Sequence, residues 1–531
     1  MMNELSATPL SQPSPQAKGD SGIAAGIALA AVLLLVGAVH VLALRDGHAW
    51  GDDFAQYLMH AQNLAEGRPY AVTGYVYNPL EPAIGPPTYP PGTAVILAPV
   101  YRLFGLNFTA MKAAMIACLL AFLAMVFLAF RDEISLAERL ILVLLLGLNP
   151  FLLQQSNEIG SHVPFLALLY LAIFLLGQAE KSADTQGATA GLSSSVAGNT
   201  AGQASSGTPS QYRWLWFLAA GVVCYLAFAT RTLGALLIVA LWAEELIRKR
   251  WISGPVLLAT AAFAALAAAQ GILLHSDVHY LDQFHSGLRL AGNAHDYANR
   301  LATFWHNGHW RLPSVLICLA VSGLALAGYV EQLRRRITFR ELFAAGYVAV
   351  LLLWPSYQGE HYLLPVFPLY LFYAFLGLRH PWLARRVRFQ QAIAGVLALA
   401  IAVTYGVRLS AIDRSPLAEG IAKRESQELF ENVRELSQPD DLVVFVKPRA
   451  MALFTGRKSM SYHQAKRDED LWSSLEQHGA KWLVVVDNDE ALVPDQDREK
   501  MQYLRQFVRR NPARLTPVYR NPDFSLYAIR G

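Results

Sequence analysis

Two neighbouring carboxylates, Asp52 and Asp53, follow a long apolar run at the point where a membrane span meets water, and they open the stretch "GDDFAQYLMHAQNLAEGRPY" (51–70). Phe54, Leu58, Ala61, Leu64 and Ala65 recur at helical spacing and Gly67 supplies a stop, so the pattern predicts an amphipathic helix lying on the outer membrane surface. Asp53, Tyr57 and His60 share a polar stripe of that helix. A carboxylate there suits two tasks. It can cap the free N–H groups of the first turn, or it can take a proton from a hydroxyl nucleophile as a general base. One Asp suffices for a cap, and here there are two.

Other residues have chemistry to offer. The stretch "GPPTYPPGTAVILAPVYRLFG" (85–105) is held extended by its Pro-Pro pairs, and its helix, 92–105, is too short to cross a bilayer. It is expected to roof a cavity. Arg231 is the only charge between two apolar runs, and His361 stands at the outer end of a late one. An ionisable group at such depth is a functional candidate by default. Snorkelling is the alternative for Arg231, and a satisfied interfacial imidazole the alternative for His361. Loop 276–311 carries His279, His285, His295, His306 and His309, but without a carboxylate–His cluster at ligand spacing. No metal ligands are assigned and no cofactor is required; a divalent ion stays open. That loop is expected to close over the cavity, with Tyr280, Tyr297, Trp305 and Trp310 against sugar or lipid. Lys447, Arg449 and Arg457 form a small basic group that could sit over the cavity, with a solvated face as the favoured reading.

The elements that must position these residues follow from composition. Of 531 residues, 54% are hydrophobic and only 16% charged, where a soluble chain would carry roughly a quarter. The class is therefore a polytopic α-helical membrane protein with a C-terminal soluble α/β domain. Eleven spans are expected, at 23–45, 107–130, 138–156, 162–179, 213–230, 232–248, 253–275, 312–332, 341–357, 362–379 and 389–409. The first reads as an uncleaved signal anchor. Arg131 and Arg139, Arg248 to Arg250, Arg334 to Arg340, and Arg379 to Arg388 fall in one set of connections; the alternate turns 157–161 and 358–361 carry no Lys or Arg. The first set is expected to be cytoplasmic, with the N-terminus inside and the C-terminus outside. Cys118, Cys224 and Cys318 lie within spans, which argues against a disulfide framework or zinc site. The net charge of +4 leaves no nucleic-acid footprint.

Three domains follow: a disordered tail 1–22, a membrane domain 23–413 and an outer α/β domain 414–531. The membrane domain includes the outer loop 46–106, a low-complexity cytoplasmic linker 182–210 and the outer loop 276–311. In the outer domain "DLVVFVK", "KWLVVVD" and "SLYAIR" read as strands, and "EGIAKRESQELFENVREL" and "DREKMQYLRQFVRR" as amphipathic helices.

An outer-loop Asp at the head of a D-x-x-x-Y helix, followed by a Pro-Pro stretch, resembles the GT-C superfamily of membrane glycosyltransferases. So do "LNPFLLQQSNEIGSHVPFLALLYLAIFLL" (148–176), the arginine-bearing "LAFATRTLGALLIVALW" (226–242), "GEHYLLPVFPLY" (359–370) and "ALFTGRK" (452–458). Its motifs are similar to those of the protein O-mannosyltransferases and the lipid A aminoarabinose transferase. The resemblance implies a polyprenyl-phosphate sugar donor, a lipid, glycan or protein acceptor, and residence among the lipids of a bacterial inner (plasma) membrane. It implies an inverting hexosyl- or pentosyltransferase. Its register selects Asp53, four residues before Tyr57, as the catalytic carboxylate with Asp52 as helper; Arg231 and His361 would hold the donor phosphate, with Tyr362 beside them. Where a second acid is expected before the Pro stretch, this chain has Tyr89, and Glu81 is the substitute at hand. The alternatives are a lipid-linked glycan polymerase or ligase, a transporter or flippase, and a binding scaffold if the acidic pair is only a cap. Transporters show repeated halves, and no such symmetry is visible here.

Overall fold

The computed structural model describes residues 22–195, 210–274, 289–306, 308–355, 357–415, 417, 420–492 and 497–530. The tail expected to be disordered thus lies outside the described residues, except for Gly22. Each of the eleven expected spans coincides with a helix or a helix pair, but they are not alike. Seven helices among the described residues are long and apolar enough to cross a membrane, and the number becomes eight if the bent pair Leu136–Gly147 and Pro150–Ser156 is one span. Asn149 and Pro150 cause that 60° bend: Pro150 ends the first helix, and the Asn149 side chain accepts from Phe151 and Leu152 N–H to start the second. The remaining expected spans are short helices, Leu236–Lys249, Phe339–Leu353 and Phe367–Leu378. This is an integral membrane protein with a mostly helical body. The linker also departs from expectation, since its first part extends the helix His162–Ser195, while 196–209 lie outside the described residues.

The four basic connections meet at one end of the bundle. Arg340 pairs with Glu133, Arg379 with Glu138 and Lys181 with Asp132, while Phe339 N–H donates to Glu244 at 3.0 Å. The turn 157–161, Arg231 and the turn at Gly359 lie at the opposite end, with the outer loop and the C-terminal domain.

Six strands form a single mixed sheet: β1 Tyr75–Val76, β2 Leu442–Val444, β3 Lys458–Met460, β4 Ala480–Val486, β5 Leu515–Arg520 and β6 Phe524–Ile529, in the order β1-β3-β2-β4-β6-β5. The pairs β1–β3, β3–β2 and β2–β4 are parallel; β4–β6 and β6–β5 are antiparallel. The three strand segments read from sequence are β2, β4 and β6, and the two amphipathic helices are Arg424–Leu436 and Arg498–Arg510. Strand β1 belongs to the outer loop, so the division at residue 413 does not separate the sheet from the loop.

The core follows the same line. Trp50, 2% exposed, inserts among Phe430, Phe445 and Phe524, with ring centroids 5.4, 5.5 and 5.7 Å away. Gly420 lies where a Cβ would stand 2.4 Å from the His48 carbonyl, and the next residue, Ile421, donates to that oxygen at 3.1 Å. The loop helix Asp53–Glu66 is correspondingly buried from Phe54 to Ala61 between bundle and sheet. This corrects the expectation of a helix lying on the membrane surface: Tyr57 and His60 of its polar stripe face protein, and only Asp53 at its head is exposed.

Candidate functional site

Neither carboxylate caps its own helix through its side chain. Asp53, whose side chain is 70% exposed, accepts from the Tyr89 hydroxyl at 2.6 Å and from Arg449 Nη1 at 2.8 Å, both on Oδ1. Among the described residues neither of these bonds falls on Oδ2. Asp52 turns the other way. Its Oδ1 accepts from the backbone N–H groups of Arg449 (3.0 Å) and Ala450 (3.2 Å), the first turn of the helix Pro448–Thr455. Asp52 is therefore a cap, but of a helix in the C-terminal domain. Burial pushes its carboxyl up to about 6, against the pull of Arg449, Lys447 and the Ala450 N–H.

Tyr89, where an acid was expected, is the shared partner of the whole polar stripe. Its hydroxyl meets Asp53, its ring packs 5.1 Å from that of Tyr57, and its N–H donates to His60 Nε2 at 3.2 Å. His60 Nδ1 lies 2.8 Å from the Tyr70 carbonyl, which can only accept. The imidazole is thus the neutral Nδ1–H tautomer, and burial lowers its pKa to about 4. His60 is a strut for the 85–91 segment, helped by Gln56, which donates to the Pro87 carbonyl. Glu81 is not a second acid at Asp53; it pairs with Lys500 at 2.6 Å and ties the loop to the helix Arg498–Arg510.

The basic group of the C-terminal domain separates into three. Lys447 pairs with Asp497 at 2.5 Å, and Arg457 donates to Ser437 Oγ at 3.0 Å. Arg449 is 1% exposed, which overturns its reading as part of a solvated face. Its guanidinium lies between the rings of Tyr75 (4.8 Å) and Tyr89 (4.6 Å), and Nη2 donates to the carbonyls of Ile84 and Pro86. Burial alone would lower it, but Tyr89, Asp52 and Asp53 raise it above its ordinary value, so the cation is permanent.

A second cluster gathers around Arg231. The helix Ser210–Thr230 ends there because Arg231 is extended (φ −146°, ψ 128°), before the 3-10 turn Thr232–Ala235. Its Nη1 lies 2.7 Å from His162 Nδ1, and its guanidinium stacks 4.0 Å from the Tyr362 ring. The His162 and His361 rings are 4.1 Å apart. Among the described residues no carboxylate pairs with Arg231; its neighbours are His162, Tyr362, Tyr347 and Tyr57. Tyr57 joins the two clusters. Its hydroxyl bonds to Ser161, and burial followed by the Asp53 charge raises its phenol while Arg231 opposes them. Gly92 makes the approach feasible, since a Cβ there would stand 2.4 Å from Thr230 Oγ1 and 2.9 Å from the Ala229 carbonyl. The 92–104 helix thus abuts the residue before Arg231.

The sequence therefore named Asp53, Tyr57, His60 and Tyr89 at one cluster and Arg231, His361 and Tyr362 at the other. It missed His162 and the weight of Arg449. The only signal for His162 was its place after Gly160-Ser161 at a span end. Of the loop residues, His279, His285 and Tyr280 lie outside the described residues. Trp305 is fully buried against Phe367, so it packs the bundle core rather than a substrate, and Trp310 is exposed. Tyr297 packs 4.9 Å from Tyr357 and reaches the N–H of Gln358, near the Arg231 cluster. Among the described residues no group of three or more His, Cys, Asp or Glu side chains is placed to hold a metal ion.

No protein-family profile matches the chain, and no curated protein does. Solved structures do match. ArnT from Cupriavidus metallidurans bound to undecaprenyl phosphate has a TM-score of 0.57 at 12% identity, over 96% of this chain and 98% of that one. The oligosaccharyltransferase AglB from Archaeoglobus fulgidus, in complex with an inhibitory peptide and a dolichol-phosphate, gives 0.51 at 12% over 86% and 69%. The arabinofuranosyltransferase AftD from Mycobacteria gives 0.52 at 14%, over 97% of this chain but only 40% of AftD. The chain has the fold of these GT-C membrane glycosyltransferases, as its motifs implied, and at such identity the likeness is one of fold.

Proposed function

We propose that this protein transfers a sugar from a polyprenyl-phosphate donor to a hydroxyl-bearing lipid, glycan or protein acceptor on the outer face of the membrane. The observation that supports the reading is the placing of an accessible carboxylate, Asp53, across Tyr57 from Arg231, a cation with no carboxylate partner among the described residues. In the reaction the acceptor oxygen forms a bond to the anomeric carbon as the bond from that carbon to the phosphate oxygen breaks. The acceptor proton passes to Asp53, whose Oδ2 is the oxygen left open. Polyprenyl phosphate departs with the bonding electrons. Arg231 offers its fork of N–H donors to the phosphate oxygens, and His361 with His162 lies alongside. Attack from the side opposite the phosphate gives inversion at the sugar.

The outer-face assignment rests on charge. Four basic connections gather at one end of the bundle, the cytoplasmic one by the positive-inside rule, and the site occupies the other. In that arrangement eleven segments cross or enter the bilayer, the N-terminus is inside and the C-terminal domain outside. A panel of undecaprenyl- and dolichol-phosphate hexoses and pentoses, incubated with purified protein and membrane extract as acceptor, tests the reading. Release of polyprenyl phosphate with one or a few donors is expected. No release from any donor, by protein that is folded and supplied with acceptor, would remove the reading.

A further inference from the structure

We propose that Arg449, carried by the C-terminal domain, is a positioning residue for sugar transfer: it pins Oδ1 of Asp53 so that Oδ2 is presented to the acceptor. The inference rests on Asp53 acting as the base. Five features make the guanidinium a fixed device rather than a chance ion pair. It is 1% exposed, sandwiched by the Tyr75 and Tyr89 rings, and held at Nη2 by the carbonyls of Ile84 and Pro86. Its Nη1 is then aimed at both Asp53 Oδ1 (2.8 Å) and the Tyr89 hydroxyl (2.5 Å). Its own helix is seated by Asp52, which takes the N–H groups of Arg449 and Ala450.

The adjacent carboxylates therefore divide the work. Asp52 docks the helix that brings Arg449, and Asp53 receives the cation that helix delivers. An exposed carboxylate rotates freely about its last torsion. With two donors on Oδ1, that rotation is stopped and one oxygen is left facing outward. Only a planar fork reaches two carbonyls, a hydroxyl and a carboxylate at once; a lysine supplies one point charge. The C-terminal domain thus completes the site from a position 396 residues further along the chain.

The test uses the full chain with undecaprenyl-phosphate hexoses and pentoses as probes, read as polyprenyl phosphate release. Arg449→Ala is expected to lower kcat by about 10²-fold, the usual cost of misplacing a reacting group by an ångström, with donor KM changed less than about threefold because Arg231 is untouched. Guanidinium ion at millimolar concentration should restore part of kcat, and Arg449→Lys should recover only a minor share. Tyr89→Phe removes the other Oδ1 donor and one acceptor of Arg449 Nη1, while the bond from Nη1 to Asp53 and the two carbonyl bonds of Nη2 stay in place; it should lower kcat by about tenfold, less than the loss of the base itself. It serves if the Arg449 variants fail to fold. Near-wild-type kcat for a folded Arg449→Ala or for Tyr89→Phe would overturn the proposal, as would a loss in Arg449→Ala that guanidinium leaves unchanged. Asp53→Asn separates the two levels: if that variant is active, the base assignment itself is wrong. If it is inactive while the Arg449 and Tyr89 variants turn over normally, only the positioning role is lost.

Discussion

Asp53→Asn is the substitution whose consequences the structure fixes most tightly. Asparagine keeps an oxygen at the Oδ1 position, so the bonds from Tyr89 and Arg449 Nη1 persist. What disappears is one negative charge and the ability to accept a proton. The charge matters little to stability. Asp53 is 70% exposed, so its ion pair is screened and is worth about 0–1 kcal/mol. Arg449 would retain Asp52 at 3.7 Å, Tyr89 and two carbonyls. No helix cap is lost, because Asp53 makes none. Loss of a general base, by contrast, costs about 10²–10⁴ in rate, or about 3–5 kcal/mol in the barrier. The expected result is a protein that unfolds within a few degrees of the wild type and releases polyprenyl phosphate at most about one-hundredth as fast. The assay pairs thermal unfolding in detergent with initial-rate release from the donor panel. Normal turnover by a folded Asp53→Asn protein would refute the reasoning outright.

Arg231→Ala should raise donor KM more than Arg231→Lys, since a guanidinium grips two phosphate oxygens, and His361→Ala should act in the same direction but less; equal, wild-type donor dependence in all three would take both residues out of the site. Asp52→Asn tests the cap through pH. Because burial raises the Asp52 carboxyl to about 6, the unfolded chain loses that proton first; this contribution to stability is present at acid pH and is lost as pH rises to about 6. The variant should therefore gain on the wild type between pH 4 and 6, by on the order of 3 kcal/mol at most, and hold that gain above; a flat or opposite difference in unfolding midpoint would contradict it. For topology, a cysteine placed within 182–210 should be shielded from an impermeant thiol reagent in intact cells and one near Gly531 should react; the reverse pattern would put Asp53 on the wrong side.

The legible part of this protein is local. Hydropathy placed every long helix, and a four-residue register singled out Asp53 and Tyr57, because both signals sit within a turn or two of one helix. Arg231 was legible because a lone charge between apolar runs is costly without a task. What could not be read depends on pairing across hundreds of residues. Arg449 sits in "VKPRAMALFTGRK" with nothing beside it to announce that its partners are Asp53, Tyr75 and Tyr89. Strand β1 has two residues, too few to show alternation, and it exists only because β3 offers an edge. The loop helix was misplaced for the same reason. Its amphipathic pattern is genuine, yet beyond Asp53 its polar side is covered by a Pro-rich segment and a domain from the far end of the chain.

The bridge between β1 and β3 also sets a schedule for making the protein. Tyr75 leaves the ribosome long before Ser459, the residue it pairs with. Until the last quarter of the chain has been synthesised, the loop has no sheet to join, Trp50 has no aromatic pocket, and Asp52 and Asp53 have no arginine. The early-made half of the site must wait unpaired for the later-made half. Contacts of such long range form late and slowly. A chain cut short by a premature stop, or stalled in translocation, would carry both carboxylates and the Arg231 cluster and still lack the piece that assembles them. Under the proposed function, incomplete copies would thus stay silent, and synthesis through the C-terminal domain becomes the step that switches the site on.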